Sequence, residues 1–332
     1  MQVKKLTREE YEDALAELGS RVPVEQLPVW LEFEAAIPGR SPWGFVSFED
    51  DGRLAAAASF SQYETHGYRY LRAHHGPVWA QEPTEEQEAA ALEALRAFVR
   101  AQDPRQVFCR FAVKHELPAT RPCLSTLPYD TTVVIDLTGG EDEILSRMKP
   151  RGRRDVRKAL RECPAVRADE TGLAGADFST YYEVMRATAE RDGFVPAPMG
   201  DYANMIALLG PDRCRVFAAR IDGELVAWSM VTMSDGVATR YYAATTREAG
   251  RKRVADALVF FEANQVARLG CEQYDLMGIG SDFAPETKNL NEFKTKFAKD
   301  GVHMIAPDRD LPVRPGFYGA LVRVKALRSR LR

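Results

Sequence analysis

Apolar residues occur in short runs along the first third of the chain, and polar turns separate these runs. Asp51 and Gly52 lie between two such runs, and an Asp-Gly step in this position is typical of a β-hairpin. Thr84 precedes a longer segment with an acidic first turn, which favours the start of a helix there. The predicted elements are a helix at 7–18, strands at 43–48, 54–60 and 68–71, a helix at 84–100 and a strand at 107–111.

The same order of elements recurs in the second half of the chain. A shift of 171 positions places Tyr70 on Tyr241 and superimposes an Asp-Gly turn of each half. Agreement of several elements at one offset indicates an internal duplication of a β-β-β-α-β unit. The second copy is predicted to contain strands at 215–220, 225–231 and 239–243, a helix at 254–269 and a strand at 273–277.

This repeated unit resembles the acetyltransferase-like (acyl-CoA N-acyltransferase) fold, in which two central strands splay apart and hold an acyl donor. We therefore expect an α/β (α+β) protein made of two acetyltransferase-like domains. Coenzyme A-dependent members of the fold bind pyrophosphate at a glycine-rich turn before the long helix. The corresponding segment here, 247–256, keeps Gly250 and several cations but lacks the second glycine, and the matching segment of the first copy is acidic.

Composition bounds the class of protein. The 332 residues are 45% hydrophobic and 28% charged, which is ordinary for a globular protein of about two domains. No run approaches the roughly 20 apolar residues of a membrane span, and the first residues lack the apolar run of a secretory signal, so we expect a cytoplasmic protein. The five cysteines form no CxxC pair and the five histidines lack metal-ligand spacing. We therefore expect neither disulfides nor a metal site.

Positive charge is concentrated in one segment. The formal net charge is −3, yet residues 149–161 hold seven basic residues and one acidic residue, which leaves 38 basic and 47 acidic residues elsewhere. The basic residues recur at helical steps of three and four, which predicts one cationic face, with Val156 and Leu160 anchoring the opposite side. Such a patch on an otherwise acidic protein indicates a local docking site.

Six short motifs, by their residues and their order along the chain, resemble the Fem family of aminoacyl-tRNA-dependent peptidyltransferases. These enzymes extend the peptide side chains of peptidoglycan precursors. The family is similar to two fused acetyltransferase-like domains. Some members carry a coiled-coil arm, and because no sustained heptad stretch exists here, the chain resembles the armless type. The motifs lie at 26–30, 151–159, 178–182, 191–194, 274–279 and 293–297.

This resemblance implies an enzyme that moves an amino acid from aminoacyl-tRNA onto an amine of a peptidoglycan precursor peptide, forming the amide of an interpeptide bridge. It implies no cofactor. A lipid-linked acceptor would bring the protein to a membrane surface, and we expect a monomer. The expected domains are 1–139 with 306–332 on the acceptor side, and 140–305 on the aminoacyl-tRNA side.

The reaction needs positioning, an uncharged amine and stabilisation of a tetrahedral oxyanion. The resemblance implies Lys294 as the cation near that oxyanion. Asp275 is expected in an apolar strand where the acyl groove opens, and it either orients the amine or accepts backbone N–H groups. The expected substrate-binding residues are Trp30, Arg191, Tyr241 and Phe293.

The basic segment is the expected tRNA-binding surface, because an RNA acceptor stem is recognised mainly through its phosphates and shape. An exposed helix balanced by acids from elsewhere is the alternative. The residues expected to bind tRNA are Lys149, Arg151, Arg154, Arg157, Lys158 and Arg161.

Two positions depart from the family and leave the acceptor open. In members that act on nucleotide-linked precursors, a lysine shortly after the tryptophan and an arginine after the 191–194 motif bind the diphosphate, but Glu34 and Ala197 occupy those stretches here. The alternatives are tRNA-dependent amide formation on a small peptide or antibiotic intermediate, a coenzyme A-dependent N-acetyltransferase, and an RNA-binding module without activity. The identity of the transferred amino acid also stays open.

Overall fold

The computed structural model describes residues 1–124 and 128–330. They form two compact units, and the second unit interrupts the first along the chain. The second unit begins at Tyr129, before the predicted boundary at 139/140, because the strand Thr131–Asp136 pairs within the second sheet. The units are Met1–Pro128 with Ile305–Arg332, and Tyr129–Met304.

The strands of the described residues form two sheets, one in each unit. The strands of the first unit before the interruption are β1 (Gln2–Leu6), β2 (Arg40–Asp50), β3 (Arg53–Thr65), β4 (Tyr68–Ala73), β5 (Val78–Trp79) and β6 (Gln106–Ala112). The strands that follow are β7 (Thr131–Asp136), β8 (Val166–Asp169), β9 (Cys214–Ile221), β10 (Glu224–Ser234), β11 (Val237–Thr245), β12 (Gln273–Gly278), β13 (Val302–Met304) and, in the first unit again, β14 (Asp308–Pro312).

The helices cover the sheets, and no helix in the described part of the chain is long and apolar enough to cross a bilayer. The helices of the first half are α1 (Arg8–Leu18), α2 (Pro28–Ala35), α3 (Glu85–Gln102), α4 (Glu141–Arg147) and α5 (Pro150–Glu162). The later helices are α6 (Thr171–Ala176), α7 (Ser179–Asp192), α8 (Met199–Leu209), α9 (Arg247–Arg251), α10 (Val254–Arg268), α11 (Asn291–Lys294) and α12 (Pro315–Arg330).

The first five strands of each sheet follow one another in the same order. The first is β1-β2-β3-β4-β6-β14, with β5 beside β3, and the second is β8-β9-β10-β11-β12-β7-β13. The β4–β6 pair and the β11–β12 pair are parallel, and the other pairs are antiparallel. The β-β-β-α-β order predicted for each half is therefore present in both units, and the predicted fold class is confirmed.

The Asp-Gly steps close the hairpins as the sequence predicts. Asp51 and Gly52 both have positive φ, at 48° and 77°, and the Asp222-Gly223 turn has the same form. Two consecutive positive φ values define the type I′ turn, whose twist matches that of the flanking strands. Glycine adopts this conformation without steric cost, which explains its place in both turns.

The long helix of each unit buries one apolar face on its own sheet. In the first unit, Leu92 and Leu95 of α3 belong to one buried cluster with Phe60 of β3. In the second unit, Leu258 of α10 belongs to one buried cluster with Phe217 of β9. Burial of each such side chain contributes about 1.5–3 kcal/mol, so it holds each long helix on the sheet of its own unit.

Candidate active site

The two central strands of the second sheet separate after a short paired stretch. β11 and β12 pair at three positions, which end at Thr239 opposite Asp275, although β11 continues to Thr245 and β12 to Gly278. In the first unit the equivalent strands β4 and β6 stay paired from Arg69 to the last residue of β4. The splayed strands that hold an acyl donor in acetyltransferase-like folds are thus present in the second unit.

A bulge turns β12 away from β11. The pairing of β12 with β7 shifts between Asp275 and Gly278, and Met277 lies in the left-handed region with a φ of 64°. The Asp275 carboxylate accepts the backbone N–H of Met277 at 2.6 Å and the hydroxyl of Thr132. Asp275 therefore shapes the backbone at the point where the strands separate, as the second of its two expected roles requires.

β11 has an irregularity of its own beside the gap. Its pairing with β10 passes from Met230–Tyr242 directly to Val231–Arg240, so Tyr241 is the extra residue. Bulges of this kind redirect a side chain and are common next to active sites. The half-buried Tyr241 ring lies edge-on to Tyr242 at 5.3 Å between centroids. This placement keeps Tyr241 a candidate for contact with substrate.

Lys294 lies at the end of the separated strand. Its Nζ donates a hydrogen bond to the carbonyl oxygen of Gly278 at 2.8 Å. Asn291, at the start of the same short helix α11, accepts the N–H of Gly280 at 2.7 Å and donates to its carbonyl at 2.8 Å. This two-way amide contact fixes α11 to the chain that leaves β12, and so it fixes the position of the ammonium group.

The surroundings of Lys294 change its acidity. Burial lowers the pKa of the Lys294 ammonium to about 8, the positive Arg240 adds to the shift, and the negative Asp275 opposes it. Because Arg240 belongs to β11 and Asp275 to β12, the ammonium senses both strands of the gap. At neutral pH most of this lysine still carries its proton, so the site presents a cation with a proton that is easily lost.

A buried charged network lies behind the gap. The Glu262 carboxylate on α10 accepts Arg240 Nε at 2.9 Å, the Tyr274 hydroxyl at 2.5 Å and the Ser229 hydroxyl. Burial disfavours the charge of Arg240, but Glu262 outweighs it, and the pKa of the guanidinium is raised. Burial and the charge of Glu262 raise the pKa of Tyr274 well above its usual value, so the phenol remains a donor.

Lys296, two residues after Lys294, does not point into the gap between the strands but is paired within the protein. It lies in a 3₁₀ turn, Thr295–Phe297, and its side chain is buried. Its ammonium contacts the carboxylate of Asp256 and lies 3.8 Å from that of Asp155. Lys296 therefore ties α5 and α10 together, and its charge is balanced by protein groups.

The basic segment forms the helix α5 and exposes most of its cations. Arg151, Arg154, Arg157 and Arg161 are exposed, while Lys158 and the preceding Lys149 are partly buried. The predicted anchor is half right: Val156 is buried, but Leu160 is exposed and Ala159 takes its place. Ala159 lies on the buried face because it falls seven residues, two full turns, after the buried Gly152.

The cations of α5 also have acidic neighbours. Arg154 lies 3.4 Å from Asp155, and Arg161 and Lys158 lie 3.5 and 3.7 Å from Glu162. The two pairs with Glu162 are exposed and contribute about 0–1 kcal/mol, so phosphates can replace this carboxylate at small cost, whereas Asp155 is buried.

The first turn of α5 is in direct contact with the segment that carries Lys294. Arg151 forms an ion pair with Glu292 of α11, and the backbone N–H of Lys149 donates to the Lys296 carbonyl at 3.1 Å. A Cβ on Gly152 would come within 2.0 Å of that same carbonyl oxygen, so this position requires glycine. The cationic helix therefore begins beside the segment that carries Lys294.

The turn that binds pyrophosphate in coenzyme A-dependent members has a different form here. Part of segment 247–256 is the short helix α9, and Thr246 caps it through the N–H of Ala249 at 3.2 Å. Asp256 lies in the first turn of α10 and binds Lys296. The first turn of α10 therefore already holds a carboxylate, and Lys296 balances its charge.

In the first unit the predicted residues lie in a buried polar cluster. Trp30 is 2% exposed and lies edge-on to His74, with 6.1 Å between ring centroids. Glu34 is buried, accepts Arg40 Nη1 at 3.0 Å and lies 3.7 Å from His74 Nε2. Burial raises the pKa of Glu34, against the charge of Arg40. Burial and nearby Arg72 lower the pKa of His74 well below its usual value.

The remaining expected residues have mainly protein contacts. Arg191 donates to the Thr245 carbonyl at 2.6 Å, at the end of β11, and makes a two-bond contact with Asp192. The ring of Phe293 packs against Phe297 at 5.2 Å, beneath the Lys296 ammonium. The Ala197 carbonyl accepts the Tyr182 hydroxyl at 3.1 Å. Direct substrate contact by Arg191 and Phe293 stays a prediction.

Sequence reasoning missed Arg240, Glu262 and Asn291. Glu262 had a usable signal, because it lies within an apolar run on a helix and repeats the spacing of Leu258 at i+4. A carboxylate on a buried helix face needs a cationic or donor partner, although the sequence does not name that partner.

Comparison with known proteins agrees with this geometry. Residues 150–294 match the family described as acetyltransferase (GNAT) domain. The match begins at the first residue of α5 and ends at Lys294. No curated protein matches the sequence at a significant level.

Solved structures share the fold of the whole described chain. The crystal structure of FemX has a TM-score of 0.74 and 15% identity, over 96% of this chain and 99% of that one. A tandem GNAT protein from the clavulanic acid biosynthesis pathway has a TM-score of 0.56 and 12% identity over 94% and 98%. L-PGS from Bacillus licheniformis has a TM-score of 0.50 and 14% identity over 98% of both chains. The resemblance to the Fem family is thus confirmed at the level of fold, and the family match and the fold support an acyl-transfer role.

Proposed function

We propose that this protein transfers an aminoacyl group from aminoacyl-tRNA to an amine of a peptidoglycan precursor peptide. The observation that carries the proposal is the contact between α5 and the Lys294 segment, through Arg151 and Glu292. A nucleic acid bound along α5 would have its end directed to the gap between β11 and β12. An ester at that end would meet a cation and an open sheet edge.

The transfer reaction requires the ester, the amine and a cation near the ester carbonyl oxygen. The acceptor nitrogen attacks the ester carbonyl carbon, and the C–O bond to the tRNA ribose breaks. The amine loses a proton and the ribose oxygen gains one, so the products are an amide and a free ribose hydroxyl. The Lys294 ammonium, held at Gly278, would stabilise the negative oxygen of the tetrahedral intermediate.

A ribose-linked donor suits the charges of the second unit better than coenzyme A does. Exposed Arg247, Arg251 and Lys252 lie in α9 or directly after it, and Arg253 reaches Asp155 of α5 at 3.6 Å. These cations extend the positive surface of α5. The segment that would bind the coenzyme A diphosphate, by contrast, forms the capped helix α9 and lacks the second glycine.

The residues of the first unit favour a second candidate for the acceptor substrate. Glu34, in the stretch where the related enzymes have a diphosphate-binding lysine, is buried and held by Arg40. It cannot attract a nucleotide-linked diphosphate, and this favours an acceptor without one. We therefore keep a small amine-bearing peptide, as in natural-product pathways, as the second candidate for the same tRNA-dependent reaction.

Charge reversal on α5 tests the donor. The double variant Arg154→Glu, Lys158→Glu is expected to weaken binding of charged tRNA and to reduce the slope of log affinity against log salt by about 1–2, because each lost phosphate contact removes roughly 0.7–0.9. Fluorescence titrations at several salt concentrations measure both quantities.

The control carries the same change of net charge elsewhere. Arg100 and Arg105 are exposed at the end of α3 and in the turn after it, and their replacement by glutamate is expected to leave the salt slope near that of the wild type. Equal slopes for wild type and the α5 variant would remove α5 from the tRNA-binding surface.

A further inference from the structure

The last helix, α12, is attached to its unit through side chains of its first two turns. Tyr318 is buried, its ring lies edge-on to Phe108 at 5.5 Å, and its hydroxyl donates to Asp310 at 3.0 Å. Leu321 packs partly against the same cluster. From Val322 to Leu327 every residue is exposed. The second half of the described helix therefore extends into solvent.

An apolar stripe runs along the exposed side of α12. Phe317, Ala320, Val324 and Leu327 follow one another at steps of three, four and three residues, so they lie on one helix face. The three larger side chains are 40%, 47% and 59% exposed. A soluble helix normally turns such a face toward its own core, and here Tyr318 and Leu321 occupy that position instead.

Cations lie near this stripe. By helical geometry Arg323 lies beside the stripe, and Lys325 follows Leu321 by one turn; both cations are exposed. Arg314, just before the helix, lies over the Phe317 ring at 5.2 Å. From Arg314 onward the sequence contains six basic residues and no acidic residue, although the whole chain has a net charge of −3.

We propose that α12 binds the surface of an anionic lipid bilayer. The stripe would enter the boundary between headgroups and acyl chains, and the nearby cations would lie on lipid phosphates. Tyr318 and Leu321 keep the helix attached to its unit while the neighbouring exposed face binds lipid. This inference does not rest on the proposed transfer reaction, because none of these residues takes part in it.

The combination of features favours lipid over the other polyanions and over a protein. An RNA phosphate backbone would pair with the cations but would leave the apolar side chains of Val324 and Leu327 exposed to water. A second copy of this chain would bring the same cations against each other across the stripe, and no acid in this segment offsets that repulsion. An anionic bilayer uses both the apolar and the basic residues.

Vesicle co-sedimentation tests the proposal with the full-length chain. Wild type is expected to bind vesicles of phosphatidylglycerol and phosphatidylcholine and to leave vesicles of phosphatidylcholine alone. Val324→Ser with Leu327→Ser removes the stripe and keeps the charge, and Arg323→Gln with Lys325→Gln does the reverse. Each pair is expected to lower the partition coefficient about tenfold, from the loss of buried apolar area or of two cations near the surface.

A matched control uses two exposed apolar residues of the other unit. Val302 and Met304 on β13 are exposed, and their replacement by serine is expected to leave vesicle binding unchanged. Three results would overturn the proposal: no binding of wild type to anionic vesicles, full binding by the stripe variant, or a stripe variant that changes only the oligomeric state. Thermal unfolding of each variant, expected to match wild type, shows that the residues act on the surface.

Discussion

Replacement of Lys294 by methionine is expected to lower the rate of aminoacyl transfer by about 10²–10³-fold and to leave the affinity for tRNA unchanged. The ammonium lies at the gap between β11 and β12 and donates to Gly278, where an oxyanion would form. Removal of one preorganised oxyanion donor typically costs about 2.7–4 kcal/mol in the transition state. Single-turnover transfer from charged tRNA, with tRNA binding measured in parallel, checks both halves of the prediction.

The pH dependence separates a chemical role from a structural one. Because the pKa of Lys294 is about 8, its cation is present below that pH and is lost as the pH rises through it. Lys294→Arg stays charged throughout. The ratio of wild-type to Lys294→Arg rates is therefore expected to fall between about pH 7 and pH 9. Lys299→Met, at an exposed position on the same segment, is the control, and a ratio that does not change with pH would count against the oxyanion role.

Replacement of Glu262 by glutamine is expected to lower the free energy of unfolding of the second unit by about 3–5 kcal/mol. The exchange conserves volume but removes the charge that balances the buried Arg240 guanidinium, 2.9 Å away, and an uncompensated buried charge has a cost of this size. Urea unfolding, monitored by hydrogen exchange of peptides from Tyr129–Met304, measures the loss of stability in that unit.

An exposed glutamate serves as the comparison for this variant. Glu183 pairs with Arg186 on the surface of α7, and Glu183→Gln is expected to leave the unfolding transition unchanged, because exposed pairs contribute little. If Glu262→Gln unfolds at the same urea concentration as Glu183→Gln, the network behind the gap does not stabilise the unit as described.

Local sequence signals were sufficient for the elements and their order. The Asp-Gly steps specify hairpin turns through their own backbone preferences, and Thr84 caps α3 through the N–H of Gln87, as a capping box requires. The internal duplication could also be predicted, because similar turn and helix signals recur at one offset and give similar strands and helices in both units. Periodicity also placed Val156 on the buried face of α5.

The chemistry of the site depends on contacts between distant residues, and the sequence did not supply these. Arg240 and Glu262 are 22 positions apart and meet only after β11 and α10 pack together. Lys296 meets Asp155 and Asp256, which lie 141 and 40 positions earlier in the chain. Leu160 satisfied a helical spacing, yet the face that packs is set by the approach of Gly152 to Lys296.

The most direct test of the account is the mass of the product formed from charged tRNA. The protein is incubated with aminoacyl-tRNA and a panel of amines that includes a nucleotide-linked muramyl pentapeptide and short peptides. We predict an acceptor heavier by one aminoacyl residue, formed without coenzyme A and abolished when ribonuclease is added first. Acyl transfer from acetyl-coenzyme A that survives ribonuclease, or no amide from any charged tRNA, would contradict the account.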